Sequence, residues 1–596
     1  MEPAGWITLA LVGAAAVLLV TERLRPDLTA LLVLLVLAIS GIVTPEQAFS
    51  GFSQSAVITI LSIFVLTHAL ERTGVTHWVG MKLLRGLGAS ESRLATALML
   101  SSAALSLIMN SIAAAAVLLP SAVAIARHTG RPPSRLLLPL AYGALLGGTA
   151  TLLTTANILV STTLARASIA PFGLFDFLPI GLPIIAGGAI VVGVLRPRLL
   201  PTRDLAGEVA RMRRLQTELA QVYHLSEGMS AVTVRPGSAL AGQTLRQGAW
   251  GHDLGLTVLG VAHQGRLTLA PNGDTIIREA DTVLVEGAPR PEVMDAYGLK
   301  LTALGEEPSL TSEDVLLVEV ILAPRSEFEG RTLKDIHFRE KYGMQVLAIW
   351  RQGEVLQQTV ADIPLRLGDA MLMQGSRDRI AVLRADPNWI LLEEQGSRRI
   401  GRKGLTAAAI LALSLGLAAS GVMPIALATL TGAALVVLFG CLPMDDAYRA
   451  VEWRTVFLIA FMIPLGAAML ESGAASFLAA GVLSLTGGLA PLATAAVLLA
   501  MTIGLSLFLG GQTTAVVMAP IAIESASLLH ADARGMAMAV ALGCSLVFLS
   551  PYGHPANLLV MGPGGYTSRD FLRVGLPLTL TTFVLALLGL HWVWGL

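Results

Sequence analysis

Small polar residues interrupt two long apolar stretches of the chain, at residues 94–126 and 490–530. The first interruption is the pair Asn110-Ser111. The second consists of five consecutive residues, Gly510, Gly511, Gln512, Thr513 and Thr514. Such residues suit the tip of a helical hairpin, where unwound backbone presents amide and carbonyl groups to a polar cavity. The alternative is a close helix–helix contact in which the small hydroxyls are satisfied within their own helices.

A second pair of interruptions breaks apolar segments at residues 154–157 and 550–557. The first reads Thr-Thr-Ala-Asn and the second reads Ser-Pro-Tyr-Gly-His-Pro-Ala-Asn. Because proline and glycine disrupt an α-helix, the second segment should end one half-helix and begin another. The amino end of a resumed half-helix favours an anion, and the freed carbonyls can bind a small cation. Helix packing by small residues is again the alternative.

These interruptions lie in a chain that is far more apolar than a water-soluble protein. Of its 596 residues, 54% are hydrophobic and 14% are charged, and the mean hydropathy is +0.70. Soluble proteins carry about 25% charged residues, so the composition predicts an α-helical polytopic membrane protein. The equal numbers of basic and acidic residues, 41 of each, indicate no nucleic-acid partner. Two cysteines exclude a disulfide scaffold and a zinc ribbon.

Apolar segments of spanning length predict about ten membrane spans, with 94–126 and 490–530 as two re-entrant hairpins. A charged insert separates the two membrane halves, and basic residues crowd both of its junctions. By the positive-inside rule the insert is cytoplasmic. The predicted domains are a first membrane half (1–200), a helical linker (201–227), two α/β modules (228–299 and 310–395) and a second membrane half (400–596).

The chain contains two internal repeats. Within the insert, turn residues and a strand-flanking aspartate recur at an offset of 88, so that Asp281 matches Asp369. The membrane halves align at an offset near 400, which places Asn157 on Asn557. Because the first half starts outside and the second starts inside, the halves are predicted to be inverted repeats. Inverted repeats are typical of secondary transporters.

Two segments of the second half carry a family resemblance. The segment SPYGHPANLLVMGPGGYTSRDFLRVGLPL (550–578) resembles the closing signature of the divalent anion:sodium symporter family, and WRTVFLIAFMIPLGAAMLESGAA (453–475) is similar to that family's second half. The insert resembles two tandem C-terminal domains of the regulator-of-K⁺-conductance (TrkA-C) type. The resemblance implies a secondary transporter of the bacterial inner membrane. It would move a sulfate-like oxyanion or a small dicarboxylate with Na⁺ by an elevator-type movement.

In such symporters, Ser-Asn-Thr motifs at the hairpin tips bind sodium and the substrate. The matching positions, 110–112 and 510–512, do not read Ser-Asn-Thr here, and the bare glycines of the second tip would widen the site or bring backbone amides to the anion. The residues assigned to substrate binding are Asn110, Ser111, Thr154, Thr155, Gly511, Gln512, Thr513, Thr514, His554 and Pro555. The residues assigned to Na⁺ are Asn110, Asn157, Gly510, Gly553 and Asn557.

Several alternatives stay open at this point. Transport could be coupled to protons, with His554 as the carrier, or be uncoupled or an antiport, or the chain could be an ion channel gated by the insert. The sequence contains no nucleotide-binding loop, metal-ligand cluster or nucleophile–base pair with usable spacing, so an enzyme is not expected. The TrkA-C-like modules are expected either to bind a small effector, such as a cyclic dinucleotide, or to hold a homodimer together.

Overall fold

The computed structural model forms two compact units, one made of Met1–Thr202 with Glu394–Leu596 and the other of Arg203–Glu393. The linker predicted at 201–227 lies, apart from Pro201, outside the residues that the structure describes. Those residues are 3–21, 23–84, 91–129, 131–201, 229–248, 250, 254, 256–263, 266–269, 271, 273–286, 291–302, 315–324, 326–351, 354–356, 360–392, 401–486 and 490–596.

The first half of the membrane unit is entirely helical in its described elements. Its α-helices are α1 (Pro3–Val20), α2 (Pro26–Ile39), α3 (Pro45–Phe49), α4 (Ser55–Arg72), α5 (Val75–Leu84), α6 (Glu91–Ser106), α7 (Ser111–His128), α8 (Leu137–Gly148), α9 (Thr155–Arg166) and α10 (Leu178–Leu199). Short 3₁₀ helices occupy Ser50–Ser53 and Pro133–Arg135.

The insert folds into two antiparallel sheets of five strands each. The first contains β1 (Met229–Val234), β2 (Thr257–His263), β3 (Arg266–Leu269), β4 (Thr282–Glu286) and β5 (Leu299–Thr302), with helix α11 (Pro291–Ala296) before β5. The second contains β6 (Val315–Leu322), β7 (Gln345–Arg351), β8 (Glu354–Leu356), β9 (Ala370–Ser376) and β10 (Trp389–Leu391), with helices α12 (Phe338–Tyr342) and α13 (Arg377–Ala385) and a 3₁₀ turn (Val360–Asp362).

The second membrane half is helical again. Its helices are α14 (Arg402–Ala419), α15 (Ile425–Leu438), α16 (Met444–Ala450), α17 (Trp453–Glu471), α18 (Ala474–Thr486), α19 (Pro491–Leu509), α20 (Gly511–Leu529), α21 (Ala533–Ser545), α22 (Pro555–Gly564) and α23 (Ser568–Trp594).

Both membrane halves contain the same order of elements. Each has two apolar helices, a short helix, a long helix, another short helix, a helical hairpin, a broken helix and a final helix. Among the described residues, seven helical stretches are long and apolar enough to cross a membrane, and further apolar helices are shorter. The count of about ten spans and the inverted orientation of the halves stay predictions.

The two halves interlock around their broken helices. Helix α9 of the first half packs against α20 and α21 of the second, and α22 of the second packs against α7 and α8 of the first. Two buried tyrosines bond across this contact. The Tyr142 hydroxyl donates to the carbonyl oxygen of Phe548 at 2.9 Å, and the Tyr566 hydroxyl donates to that of Ser134 at 2.6 Å. These bonds hold the loop between α21 and α22, and the residues that follow α22, against α8 and the turn before it.

The two sheets of the insert share one topology. The strand orders are β3-β2-β4-β1-β5 and β8-β7-β9-β6-β10, which correspond strand for strand. Irregularities recur at the offset of 88 as well, because the register shifts at Val258/Gly260 in β2 and at Val346/Ala348 in β7. The sequence repeat at an offset of 88 is therefore matched by a repeat in the strand order and in the register shifts.

A buried aspartate lies at the same place in each module but has a different partner. Asp369 accepts from Arg351 Nε at 2.8 Å and from Arg351 Nη2 at 2.6 Å. The hydrogen bonds to Asp369 raise the pKa of Arg351 above its ordinary value. Asp281 instead lies 2.6 Å from His263 Nδ1, and the Nε2 atom of that ring lies 3.1 Å from Arg278. Arginine only donates, so in this arrangement Nε2 accepts and Nδ1 carries the proton.

The Arg351→Gln substitution tests how much the second module depends on its buried ion pair. Asp369 is 1% exposed, so removing its cation leaves a buried carboxylate without a counter-charge. We therefore expect the free energy of unfolding to fall by about 3 kcal/mol. The control is Arg246→Gln, which removes only a surface pair with Asp274 at 3.6 Å and should cost under about 1 kcal/mol. Pulse proteolysis of the full-length protein in urea measures the stability of both variants. Equal urea concentrations at the midpoint of unfolding for the two variants would contradict the prediction.

Candidate functional site

The first hairpin tip satisfies its own polar groups. Helix α6 ends at Ser106 and α7 begins at Ser111, so four residues, 107–110, form the tip. The Asn110 side-chain oxygen accepts from the backbone N–H of Ala113 at 2.7 Å and thereby caps α7. The hydroxyls of Ser106 and Ser111 lie 3.1 Å apart. Asn110 is therefore engaged by the backbone, while the serine pair retains a proton for a further acceptor.

The second hairpin tip is a single residue, Gly510, between α19 and α20. Its φ of +75° lies in a region that residues with a side chain rarely adopt, which explains why position 510 is a glycine. A Cβ atom on Gly511 would lie 2.6 Å from the carbonyl oxygen of Cys544, so close approach to the end of α21 explains the second. The space that a side chain would need at Gly511 is thus filled by protein.

The break between α8 and α9 is stabilised by Asn157. The hydroxyl oxygen of Thr154 accepts from the Asn157 N–H at 3.4 Å and caps α9. The side-chain nitrogen of Asn157 donates to the carbonyl oxygens of Gly148 at 3.0 Å and Thr151 at 2.7 Å. Thr151 also bonds the hairpin tip, since its hydroxyl donates to the Leu107 carbonyl at 3.1 Å. One fully buried amide therefore satisfies carbonyls that the broken helix leaves free.

The break between α21 and α22 repeats this arrangement at Asn557. Its side-chain nitrogen donates to the carbonyl oxygens of Val547 at 3.0 Å and Ser550 at 3.1 Å. The cap that Thr154 provides in the first half is provided here by His554, whose Nδ1 accepts from the Ala556 N–H at 3.2 Å. The loop packs on its own hairpin, because a Cβ on Gly553 would lie 3.5 Å from the Ser506 carbonyl oxygen.

The two asparagines share one further property. The side-chain oxygens of both Asn157 and Asn557 are buried and have no hydrogen-bond partner among the residues that the structure describes. A buried polar atom without a partner costs about 1–3 kcal/mol. Amide and carbonyl oxygens are the ligands that hard cations prefer, so each of these oxygens fits a small cation such as Na⁺ by chemistry and by burial.

His554 is used as a helix cap, which limits what else it does. Since Nδ1 accepts a backbone hydrogen bond, the proton of the neutral ring lies on Nε2. Adding a proton to Nδ1 would remove the cap from α22. The ring therefore plays the structural part that Thr154 plays in the other half.

The remaining predicted residues surround the breaks in varied environments. Thr513 and Thr514 are buried in the first turn of α20, and Thr155 is half-buried at the start of α9, whereas Pro555 is exposed. The side chain of Gln512 is half-buried and, within the part of the chain that the structure describes, forms no hydrogen bond. Its amide is thus free to bind a ligand.

The site also uses residues that the sequence analysis did not single out. They are Ser106, Gly148, Thr151, Ser506 and Ser545. The offset of 400 aligns Ser106 with Ser506 and is a sequence signal for that pair. The other three have no such signal, because each acts through its backbone or through a neighbour outside its own helix.

Comparison with known proteins decides the family. A family model described as "Citrate transporter" (CitMHS) matches residues 16–543. The chain belongs to this family. It is 32% identical over 585 residues to "Uncharacterized transporter sll0640" of Synechocystis sp. (strain ATCC 27184 / PCC 6803 / Kazusa), covering 96% of this chain and 94% of the relative. It is 31% identical over 589 residues to "Uncharacterized transporter YfbS" of Escherichia coli (strain K12), covering 96% of each.

A more distant relative has a more specific name. "Sodium/sulfate cotransporter 2" of Chlamydomonas reinhardtii is 21% identical over 789 residues, covering 98% of this chain and 89% of the relative. The predicted class, an integral membrane transporter in a family of anion transporters, is confirmed at this level, and the chain is a transporter rather than an enzyme. The transported anion, Na⁺ coupling and the TrkA-C identity of the insert stay predictions.

The Gly511→Ala substitution tests the close contact at the second hairpin tip. The added methyl group meets the Cys544 backbone, which cannot move as a flexible side chain does. We therefore expect the free energy of unfolding to fall by about 1–3 kcal/mol. The control is Gly504→Ala in α19, where a Cβ meets no atom within 4 Å. Thermal unfolding of the detergent-purified protein measures the difference, and equal melting temperatures for the two variants would show that the tip is not closely packed.

Proposed function

We propose that this protein is a secondary active transporter that moves a small multivalent anion, a sulfate-like oxyanion or a small carboxylate, together with Na⁺. The matched pair of Asn157 and Asn557 is the observation that carries the proposal. In each half, one amide stabilises the break with its nitrogen and presents an oxygen that has no partner within the described part of the chain. The family's description names citrate, and the name of the Chlamydomonas relative couples sulfate to sodium.

The coupling between the two ions would be electrostatic. Neutral oxygens that ligate Na⁺ leave its positive charge uncompensated, and a multivalent anion beside it supplies the missing negative charge. The half-helices α9 and α22 begin at these breaks, and their amino ends carry a partial positive charge that favours the same anion. Either ion alone would be buried without a counter-charge, so each promotes binding of the other.

The movement would be of the elevator type. Both hairpins and both broken helices pack on one another, so the elements that hold the site form one cluster that can move as a body. Coupling to protons through His554 is the less favoured mechanism, since protonation of Nδ1 breaks the cap on α22.

The insert would act from the cytoplasmic side of the plasma membrane. Two copies of one α/β module in tandem give a pseudo-symmetric pair, which supports the likeness to TrkA-C domains. Such a pair would either bind a small effector, such as a cyclic dinucleotide, or hold a homodimer together. Limited proteolysis of the full-length protein with cyclic di-AMP and with ATP, together with its mass in detergent, separates these two roles.

Uptake into proteoliposomes tests the transport proposal. Radiolabelled sulfate and citrate are offered under an inward Na⁺ gradient, a proton gradient or no gradient. We expect saturable uptake of at least one anion that requires Na⁺. Uptake driven only by protons would overturn the Na⁺ assignment, and uptake of neither anion under any gradient would overturn the substrate class.

The variants Asn157→Ala and Asn557→Ala test the cation ligands directly. Each should weaken the apparent affinity for Na⁺ by about 10-fold to 100-fold and should abolish the Na⁺-induced rise in melting temperature. The control is Thr431→Ala in α15, whose exposed hydroxyl donates only to the Leu427 carbonyl in its own helix. Variants that elute as folded protein and keep the Na⁺ response of the unaltered chain would remove both asparagines from the site.

A further inference from the structure

Gly148, the last residue of α8, lies where the two membrane halves meet. A methyl group built on it would lie 3.1 Å from Thr154 Cγ2, 3.4 Å from Ser111 Oγ and 3.7 Å from Ser545 Oγ. Ser111 begins α7 at the first hairpin tip, Thr154 caps α9, and Ser545 ends α21 in the second half. Three separate helix ends therefore converge on one position that has no side chain.

The hydroxyl of Ser545 has no partner within the described ranges, unlike most serines in helices. Serines inside helices usually donate to the carbonyl oxygen four residues earlier, as Ser525 does to Ile521 at 2.7 Å. Ser545 is only 8% exposed, and among the described residues no group hydrogen-bonds to its hydroxyl. A hydroxyl that is not engaged by the protein keeps a proton to donate, so this position favours a ligand that accepts a hydrogen bond.

Ser111 can serve the same ligand from the other side. Its hydroxyl oxygen lies 3.1 Å from that of Ser106, so Ser106 can donate to Ser111 and leave the Ser111 proton free. The Ser111 and Ser545 oxygens both lie within 3.7 Å of the position of the absent Cβ. One hydroxyl from each half of the protein therefore borders the space beside Gly148.

We infer that Gly148, Ser111 and Ser545 form a pocket for an oxygen atom of the transported anion, and that the missing side chain at Gly148 sets the size of anion that fits. This inference rests on the proposed anion transport. The hydroxyls of Ser111 and Ser545 suit an oxyanion or a carboxylate because each can donate a hydrogen bond to an anionic oxygen. Because the pocket joins both halves, the anion would bridge them.

Two variants test the pocket in the full-length protein. Gly148→Ala places a methyl group at contact distances that Thr154 and the two serines can accommodate with small shifts, yet it fills the space for the ligand. Its control is Gly416→Ala in α14, where a Cβ meets no atom within 4 Å. Ser545→Ala removes the free hydroxyl, and its control is Ser525→Ala, whose hydroxyl is bonded within its own helix.

The readouts are the initial uptake rates of sulfate and citrate and the rise in melting temperature that each anion causes in detergent. For Gly148→Ala we expect kcat/KM for the larger citrate to fall about tenfold more than kcat/KM for sulfate. For Ser545→Ala we expect an apparent affinity about tenfold weaker for both anions. Both controls should match the unaltered protein. If Gly148→Ala aggregates on size-exclusion chromatography, Ser545→Ala decides.

Each contrary result has a separate meaning. Unchanged affinity and selectivity in both variants would overturn the pocket and show that the space holds water only. An equal loss of both anions in Gly148→Ala, with the anion-induced melting shifts intact, would overturn its role in selectivity. A third outcome is that the anions raise the melting temperature of the unaltered chain, that Ser545→Ala removes this rise, and that the unaltered chain takes up neither anion. This outcome would support the pocket and overturn the transport proposal. No stabilisation of the unaltered chain by either anion would overturn the pocket.

Discussion

Carbonyl groups left free where a helix breaks in apolar surroundings are the constraint on which the site depends. Water is not available to them there, so protein groups must satisfy them. In each half of this transporter one buried asparagine does so, with Asn157 bonding to Gly148 and Thr151, and Asn557 bonding to Val547 and Ser550. An amide nitrogen that stabilises the break leaves its oxygen pointing elsewhere. The structural requirement thus creates the proposed cation ligand.

The two halves meet the same requirements with different residues. The cap of the resumed half-helix is Thr154 in one half and His554 in the other. The hairpin tip has four residues in the first half and only Gly510 in the second. Each half thus keeps a capped half-helix and a hairpin tip, although the cap residue and the length of the tip differ.

The soluble unit follows the same logic outside the membrane. Each module buries one aspartate beside its sheet, and the buried charge must have donors close by. Arg351 forms a bidentate ion pair with Asp369 in the second module. In the first module, His263 contacts Asp281 and Arg278 in turn contacts His263. The fold of the module therefore specifies where a carboxylate lies, and the sequence of each copy decides how its charge is balanced.

The sequence alone determined the membrane class, the anion-transporter family and the location of both interruptions in each half. The membrane class and the interruptions depend on the lengths of apolar runs and on prolines and glycines, which act locally, whereas the family was implied by the resemblance of residues 453–475 and 550–578. The offsets of 88 and 400 also predicted the repeated modules and the matched asparagines. Two contacts have no counterpart in the sequence pattern: the Cys544 carbonyl fills the space at Gly511, and Ser545 lies beside Gly148. These contacts join segments far apart in the chain, and packing between helices, rather than any local pattern, determines which of them touch.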